Sequence, residues 1–315
     1  MRIVVSGSIA YDYIMFFPGY FKDHILPAQL QNLSVSFLVD SLKRQRGGCA
    51  PNIAYNCGLL GERATVMGAV GQDFGDYRAW LDAHGVDTSA IREIADEFTS
   101  AFFVNTDRDN SQIASFYTGA MRMARDLSFH DLPYREIAIA VISPNDPDAM
   151  RRHARECQEL RIPYIYDPSQ QIIRLDGKDL LDGVCGAGVL ICNDYEFEMI
   201  RNKTGLSTQQ LETLAPVVIV TQGKEGSTIV TNGERYHIPV VEPRRVADPT
   251  GVGDAYRAGL IKGILHGYSW PTTGRMGSLA ATYCLEEHGT QNHSYTYADF
   301  LARYRATFGE ALELA

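Results

Sequence analysis

The chain has 315 residues, of which 45% are hydrophobic and 21% are charged, and its formal net charge is −9 at pH 7. This acidic balance argues against a nucleic-acid or membrane-surface function, since both need a basic face. Apolar runs such as 137–142 and 216–220 have the length of strands and are too short to span a membrane. No signal peptide is visible, and the six cysteines show no metal-binding spacing. We therefore expect a cytoplasmic protein whose cysteines are small buried residues.

Strand and helix patterns alternate along most of the chain, in the way that builds a mostly parallel sheet. Predicted strands lie at 1–6, 64–69, 137–143, 164–166, 189–192 and 217–220. Predicted helices lie at 50–60, 76–84, 150–160 and 195–202, and a further helix follows Gly251. The pattern predicts a doubly wound α/β fold whose ligands bind beyond the carboxyl ends of the strands. The residues expected at that edge are Ser8, Asp12, 167–171, 193–196 and 221–226.

Two pairs of segments do not fit this alternation. Residues 13–17 with 33–39, and 99–105 with 112–117, alternate between apolar and polar residues like half-exposed strands. They predict a small separate sheet, which is either a lid over the crevice or an extension of the main sheet. Phe102 and Phe116 lie in these strands and are available to cover a flat ring.

A glycine-rich turn near the C-terminus carries the strongest functional signal. Gly251, Val252, Gly253 and Asp254 open a helical pattern of small residues. A helix that begins in this way directs unpaired N–H groups and its dipole at an anion, above all a phosphate. Asp254 would lie beside that anion as a proton acceptor, with its pKa lowered by the helix dipole. The alternative is an ordinary tight turn followed by a first-turn aspartate.

Two familiar phosphate-binding sequences are absent. A dinucleotide fingerprint needs a third glycine where the chain has Tyr256, and a Walker A loop needs Ser or Thr after Gly-Lys. The two Gly-Lys pairs of the chain continue with Asp179 and Glu225. The glycine turn at 251–254 is therefore neither a dinucleotide-binding fingerprint nor a Walker A loop.

Taken together, four motifs resemble those of the ribokinase-like (PfkB) family of sugar and nucleoside kinases. They lie at 47–54, 193–196, 221–226 and 248–254, and the resemblance covers nearly the whole chain. Within the family, four further stretches resemble the bacterial adenosine kinases of ribokinase type, at 7–12, 34–40, 114–117 and 167–171. One departure is Pro249, where the family usually has Thr. It removes an N–H group and stiffens the approach to the turn.

The resemblance implies a single kinase domain over 1–315, with three α/β/α layers around a mostly parallel sheet. A small β-sheet lid from about 13–46 and 97–120 would be inserted into it. The implied activity is ATP-dependent phosphorylation of the 5′-hydroxyl of adenosine to AMP, a reaction of purine salvage. The alternatives are a sugar kinase acting on ribose or fructose, a broad nucleoside kinase, and a non-catalytic nucleoside-binding sensor. The unpaired edges of short lid strands also predict a homodimer formed through the lid.

The resemblance also assigns roles around the substrate. Asp254 is the base, and the N–H groups of the turn from Gly251 through Val252 and Gly253 to Asp254 stabilise the moving phosphoryl group. The ribose hydroxyls would be held by Asp12, Asn52 and the backbone at Gly48. The purine would be edged by Ser8, Ser36, Gln170 and Gln171 and stacked on Phe102 and Phe116. Turn capping by Asp12 and Asn52, and simple lid packing by the two phenylalanines, are the structural alternatives.

Further roles concern ATP and metal ions. Asn193 and Glu196 would organise Mg²⁺ through water, since magnesium keeps several of its waters. Thr221, Gly223 and Gly226 would bring the backbone close to ATP. Asp248 and Thr250, with Gly289 and Gln291, fall where the family often binds a monovalent cation such as K⁺. Arg122 or Arg125 would close on the phosphates.

Overall fold

The computed structural model describes residues 2–25, 31 and 34–309 of the chain. Its strands are β1 (Arg2–Ser6), β2 (Ala10–Phe16), β3 (Ser41–Gly47), β4 (Ala64–Gly71), β5 (Ile91–Ile94), β6 (Ser100–Thr106), β7 (Gln112–Tyr117), β8 (Ile137–Ile142), β9 (Tyr164–Tyr166), β10 (Val189–Asn193), β11 (Val217–Thr221), β12 (Ser227–Thr231) and β13 (Glu234–Ile238). Its helices are α1 (Phe21–His24), α2 (Cys49–Leu59), α3 (Gly75–Ala83), α4 (Pro147–Leu160), α5 (Gly177–Val184), α6 (Asp194–Thr204), α7 (Thr208–Leu211), α8 (Val252–Leu265), α9 (Trp270–Leu285) and α10 (Tyr297–Phe308). None of these helices combines the length and apolar character that a membrane crossing requires.

Within the described residues, the large sheet contains nine strands in the order β13-β12-β11-β10-β9-β8-β1-β4-β5. The strands from β11 to β5 run parallel, and β12 and β13 form an antiparallel hairpin at one edge. The structure contains every parallel strand predicted above, and β5 with the β12–β13 hairpin adds to them. The carboxyl ends of β1, β8, β9, β10 and β11 therefore meet along one edge of the sheet.

Helices cover both faces of the large sheet and bury two apolar clusters. Side chains alternate across each strand, so Ile3 and Val5 pack into one cluster and Val4 into the other. The first cluster includes residues of α2, α3, α8, α9 and α10, and the second includes residues of α4, α5, α6 and α7. The result is the predicted three-layer arrangement. Because both faces are covered, the sheet strands are almost entirely apolar.

A second, separate sheet has the strand order β3-β2-β6-β7. β2 and β6 pair in parallel, and both outer pairs are antiparallel. The chain enters this sheet three residues after the end of β1, so β2 starts beside the carboxyl edge of the large sheet. The small sheet therefore stands next to the crevice where ligands are expected.

The prediction of a strand at 33–39 is wrong over residues 34–39, which form no regular structure. Leu33 lies outside the described residues. The strand that pairs with β2 is instead β3, whose sequence is mostly polar and which the apolar alternation did not indicate. Phe37 packs against Phe17 and Phe21 with ring centroids 5.1 and 4.8 Å apart. Phe37 is therefore part of an aromatic cluster and does not belong to a strand paired with β2.

Candidate active site

A cavity of about 930 Å³ lies at the carboxyl edge of the large sheet, beside the small sheet. It collects residues that are far apart in the chain, from the ends of β1, β9, β10 and β11, from β2, β6 and β7, and from the starts of α2 and α8. Most of the predicted site residues line it, namely Ser8, Asp12, Gly48, Asn52, Phe102, Phe116, Gln170, Gln171, Asn193, Glu196, Thr221, Gly223, Thr250, Gly251, Gly253 and Asp254.

The glycine turn starts α8 as predicted. Gly251 is the residue before the first turn of the helix and has φ +79°, a conformation that favours glycine. A Cβ on Gly251 would also lie 2.9 Å from the Cβ of Thr290, so the position has no room for a side chain. Val252 begins the helix and is the one residue of the turn that does not line the cavity. The N–H groups at this end of α8 belong to the first turn, which has no preceding turn to bond with.

Asp254 is half-buried in that first turn, and its carboxylate is bound from a second helix. Nδ2 of Asn52, on α2, donates a hydrogen bond of 2.9 Å to Oδ2 of Asp254. The orientation of the Asn52 amide is fixed in turn, because Nε2 of Gln291 donates to its Oδ1 at 2.8 Å. Gln291 also donates to the hydroxyl of Tyr77. Asn52, Gln291 and Tyr77 are fully or nearly fully buried, so their hydrogen bonds hold the Asp254 carboxylate in one place.

The expectation that the helix dipole lowers the pKa of Asp254 is wrong. Burial raises the pKa of this carboxyl to about 7, and the nearby carboxylates of Asp167 and Asp12 add to the rise. Arg257 and the hydrogen bond from Asn52 act in the opposite direction without offsetting burial. A carboxylate with a pKa near neutrality is a better proton acceptor than one at its usual value.

An ion pair that the sequence patterns did not indicate lies beside Asp254. Arg257, one turn further along α8, pairs with Asp167 at the end of β9, and its Nη2 lies 2.5 Å from Oδ1. The side chains are 9% and 1% exposed. Both residues line the cavity. A signal was present in the sequence, since an arginine three residues after Asp254 interrupts an otherwise small and apolar helix pattern.

The small sheet supplies one wall of the cavity through its register. Asp12 on β2 is aligned with Phe102 on β6, and Phe102 is aligned with Phe116 on β7. Residues aligned across neighbouring strands point to the same face, and all three line the cavity. Burial raises the pKa of Asp12 to about 6, with a further contribution from Asp248. Phe116 is 47% exposed, so it is not a core residue of this sheet.

The loops after β1 and β9 supply further predicted residues. Oγ of Ser8 accepts a hydrogen bond of 3.2 Å from the backbone N of Cys49 and so anchors the start of α2. A Cβ on Gly48 would lie 2.6 Å from the carbonyl oxygen of Ser8, which explains the glycine there. Gln171 has a buried side-chain oxygen with no hydrogen-bond partner among the described residues. Ser36 is exposed and is not among the cavity-lining residues, so the structure leaves it outside the site.

Asn193 and Glu196 form a reciprocal cap at the start of α6. Oδ1 of Asn193 accepts from the backbone N of Glu196 at 2.7 Å, and Oε2 of Glu196 accepts from the backbone N of Asn193 at 2.8 Å. Oε1 of Glu196 accepts from Oγ of Ser169 at 3.0 Å. Each of these oxygens can accept a second hydrogen bond. The set of hard oxygen atoms at the cavity wall therefore fits a magnesium ion bound through its waters.

Several other predicted residues lie apart from the cavity wall. Gly226 ends the connection between β11 and β12, next to the end of β13, and is not among the lining residues. Asp248 likewise does not line the cavity, and its two oxygens accept from the backbone N of Thr250 at 2.9 Å and of Gly289 at 3.0 Å. Both oxygens of Asp248 are therefore engaged by backbone groups, and the cation site at Asp248 and Thr250 stays a prediction.

The two arginines expected at the phosphates are engaged elsewhere. Arg122 pairs with Glu97, and Arg125 pairs with Asp146 at 2.7 Å and with Asp148 at 2.8 Å. Neither lines the cavity. The arginines that do line it are Arg257 and Arg174, which follows the predicted stretch 167–171.

The chain matches the description of the pfkB family carbohydrate kinases from residue 3 to residue 296. It belongs to the pfkB family. A nucleoside kinase of Methanothermobacter thermautotrophicus is 31% identical over 310 residues, which are 98% of this chain and 96% of that enzyme. These findings confirm the predicted family and the predicted class of ATP-dependent phosphotransferase.

Solved structures of one pfkB-like relative confirm the ribokinase-like fold. The nucleoside kinase of Burkholderia thailandensis in complex with inosine is 36% identical to this chain, with a TM-score of 0.89 and coverage of 98% of this chain and 99% of that one. The same enzyme in complex with ADP-inosine gives a TM-score of 0.87 at 36% identity, and covers 100% of this chain and 98% of that one.

Proposed function

We propose that this pfkB-family protein is an ATP-dependent nucleoside kinase that phosphorylates the 5′-hydroxyl of purine nucleosides, with adenosine among its substrates. The observation that carries the proposal is the position of Asp254. Its carboxylate is buried beside the glycine turn, has a pKa of about 7, and lines a cavity of about 930 Å³. The two relatives described above, from Methanothermobacter thermautotrophicus and Burkholderia thailandensis, are both named nucleoside kinases, which supports the same substrate class.

The chemistry is a direct phosphoryl transfer. The 5′-hydroxyl oxygen forms a bond to the γ-phosphorus of ATP while the bond from that phosphorus to the bridging oxygen breaks. ADP leaves with the electron pair, and the hydroxyl proton passes to the Asp254 carboxylate. The N–H groups from Gly251 to Asp254 and the dipole of α8 stabilise the charge on the moving group. Magnesium held through water at Asn193 and Glu196 would offset the charge of the phosphates.

The nucleoside would lie between the small sheet and the start of α2. Asp12 is suited to accept hydrogen bonds from the ribose hydroxyls, because it lies on the cavity wall and is aligned with Phe102 on the neighbouring strand β6. Phe102 and Phe116 offer ring faces to a flat base. The unpartnered oxygen of Gln171 would accept a hydrogen bond from the 6-amino group of adenosine or from the ring N–H of inosine. These features favour purine nucleosides over free sugars.

The proposal is tested by measuring ADP release with ATP, Mg²⁺ and a panel of adenosine, inosine, cytidine, ribose and fructose. We expect turnover with adenosine and inosine, slower turnover with cytidine, and none with the two sugars. Turnover of ribose or fructose without any nucleoside activity would assign the protein to the sugar kinases. Nucleoside binding measured by calorimetry without ADP release would indicate a sensor. Repeating the assay with KCl replaced by choline chloride tests the predicted K⁺ site.

A further inference from the structure

The side chain of Arg257 runs back along α8 to the glycine turn. Side chains on a helix lean toward its N-terminus, so a long side chain reaches the residue four positions earlier. That residue is Gly253, and a Cβ placed on it would lie 2.7 Å from Nη1 of Arg257. The missing side chain at Gly253 thus makes room for a guanidinium group at the end of the helix where an anion binds.

The three nitrogens of this guanidinium have different surroundings. Nη2 and Nε face the carboxylate of Asp167, with the Nη2–Oδ1 distance at 2.5 Å. Among the described residues, no side chain or backbone oxygen accepts a hydrogen bond from Nη1. Since the guanidinium is a rigid plane, the pairing with Asp167 also fixes the direction of Nη1. Arg257 lines the cavity, so this nitrogen lies where the glycine turn meets the cavity.

The charges around the turn make such a group necessary for anion binding. Asp167, Asp254 and Glu196 all act on Arg257 as neighbouring negative charges. Burial opposes the charge of Arg257, but these carboxylates outweigh burial and hold its pKa above its usual value. The guanidinium therefore stays charged. Arg174 also lines the cavity, but Arg257 is the cation that reaches the glycine turn itself, where the neighbouring charges are otherwise carboxylates and the partial charges of the helix end.

We propose that Nη1 of Arg257 is a donor of the anion site and contacts the phosphoryl group as it passes from ATP to the hydroxyl. The inference rests on the proposed kinase function. In this arrangement Arg257 is a catalytic residue, and Asp167 is the positioning residue that orients it. Base and cation then stand one turn apart on the same helix. They move together with the N–H groups that receive the phosphoryl group.

The primary test is Arg257→Met compared with the double variant Arg257→Met/Asp167→Asn. The single variant leaves a buried carboxylate without its partner and so risks misfolding, whereas the double variant removes both charges of the pair. We expect kcat to fall about 100- to 1,000-fold in each folded variant, the range found when one transition-state donor is removed. The nucleoside dissociation constant, measured by calorimetry, should change by less than about threefold, because the donor acts on the phosphoryl group. Arg257→Lys should fall in between, since lysine cannot pair with Asp167 and reach Gly253 as one rigid plane.

A second readout does not depend on turnover. ADP with aluminium fluoride mimics the phosphoryl group in transfer, and its affinity in the presence of inosine should fall by the same factor as kcat, while the affinity of ADP alone stays unchanged. Arg303→Met is the matched control, because Arg303 forms a similarly buried pair with Glu286, with side chains 12% and 9% exposed, away from the cavity lining. It should keep wild-type kcat.

Two outcomes would overturn the inference. One is a double variant that keeps kcat and the aluminium fluoride affinity within threefold of wild type. The other is a loss of nucleoside binding as large as the loss of kcat, which would mean that Arg257 only packs the site. Failure of the proposed function has a different signature. The wild-type protein would then bind no nucleoside or release no ADP, whatever the variants do.

Discussion

Replacing Asp254 with asparagine should abolish turnover and at the same time stabilise the fold at neutral pH. The aspartate and asparagine side chains have nearly the same shape, and the asparagine oxygen can still accept the hydrogen bond from Asn52. Loss of the base should lower kcat about 1,000-fold or more, within the range of general-base effects. Nucleoside affinity should stay close to that of the wild type. In the wild type, the fraction of ionised Asp254 falls to about 1% at pH 5, so kcat should also decline as pH falls below about 7.

The gain in stability follows from the raised pKa. A rise from 3.8 to about 7 means that ionised Asp254 destabilises the folded state by about 4 kcal/mol. Below about pH 4 the carboxyl is protonated in both folded and unfolded chains, and the penalty is absent. The penalty grows as pH rises from about 4 to about 7 and is complete above that. The advantage of Asp254→Asn in free energy of unfolding should therefore grow by about 2.6 kcal/mol between pH 5 and pH 8.

Urea unfolding of both proteins at pH 5, 6, 7 and 8 measures this difference. Asp299→Asn is the matched control, because Asp299 occupies the same third position of its helix but is exposed and bonded to Thr296. Its side-chain bond with Thr296 lowers its pKa, so that variant should lose stability above about pH 4. A pH-independent difference between Asp254→Asn and wild type would refute the burial argument. Turnover near the wild-type rate would refute the assignment of the base.

Three further substitutions test separate parts of the site. Asp12→Asn should lower kcat/KM for adenosine by about 10- to 100-fold, because a ribose hydroxyl loses its acceptor. For 2′-deoxyadenosine, whose kcat/KM should already be much lower, the same substitution should have little effect. Equal losses for both substrates would mean that Asp12 does not contact the 2′-hydroxyl. Gly48→Ala should lower the free energy of unfolding, measured with urea, by about 3 kcal/mol, since φ is +92° and the new Cβ would meet the carbonyl of Ser8. The control Gly61→Ala, with φ +79° and open space around it, should lower it by about 1 kcal/mol. Ile113→Glu, on the exposed edge strand β7, should convert the predicted lid-to-lid homodimer to a monomer in sedimentation velocity; a wild-type protein that sediments as a monomer at micromolar concentration contradicts that dimer.

The sequence was sufficient for the parallel strands and for the residues beyond their carboxyl ends. Short apolar runs marked β1, β8 and β10, and the rule on strand ends then grouped Ser8, Asp12 and 193–196 in one cavity. The same reasoning missed β3, because it is a polar strand that pairs with β2 through its backbone and buries little. Period-two patterns report burial on one face, and β3 has almost none.

The electrostatics of the site depend on contacts that no local pattern contains. Asp254 is a first-turn aspartate by sequence, and that position alone predicts a lowered pKa. Its carboxylate is enclosed by packing against α2, about two hundred residues earlier, and this burial raises the pKa instead of lowering it. Likewise, Arg257 and Asp167 are 90 residues apart, so their pairing requires the fold. The sequence did identify most of the participants, since most of the predicted site residues line the cavity.

Helix α8 is held at several points along its length. Besides Arg257, Tyr256 bonds to Ser227 at 2.7 Å, and Lys262 bonds to Glu62 at 2.6 Å. A shift or rotation of α8 would break its interactions with Asp167, Ser227 and Glu62. Tolerance for differently shaped bases is therefore expected from the opposite wall, where Phe116 is 47% exposed. Substrate preference can thus diverge by surface replacements there, while the machinery for transferring phosphate remains the same.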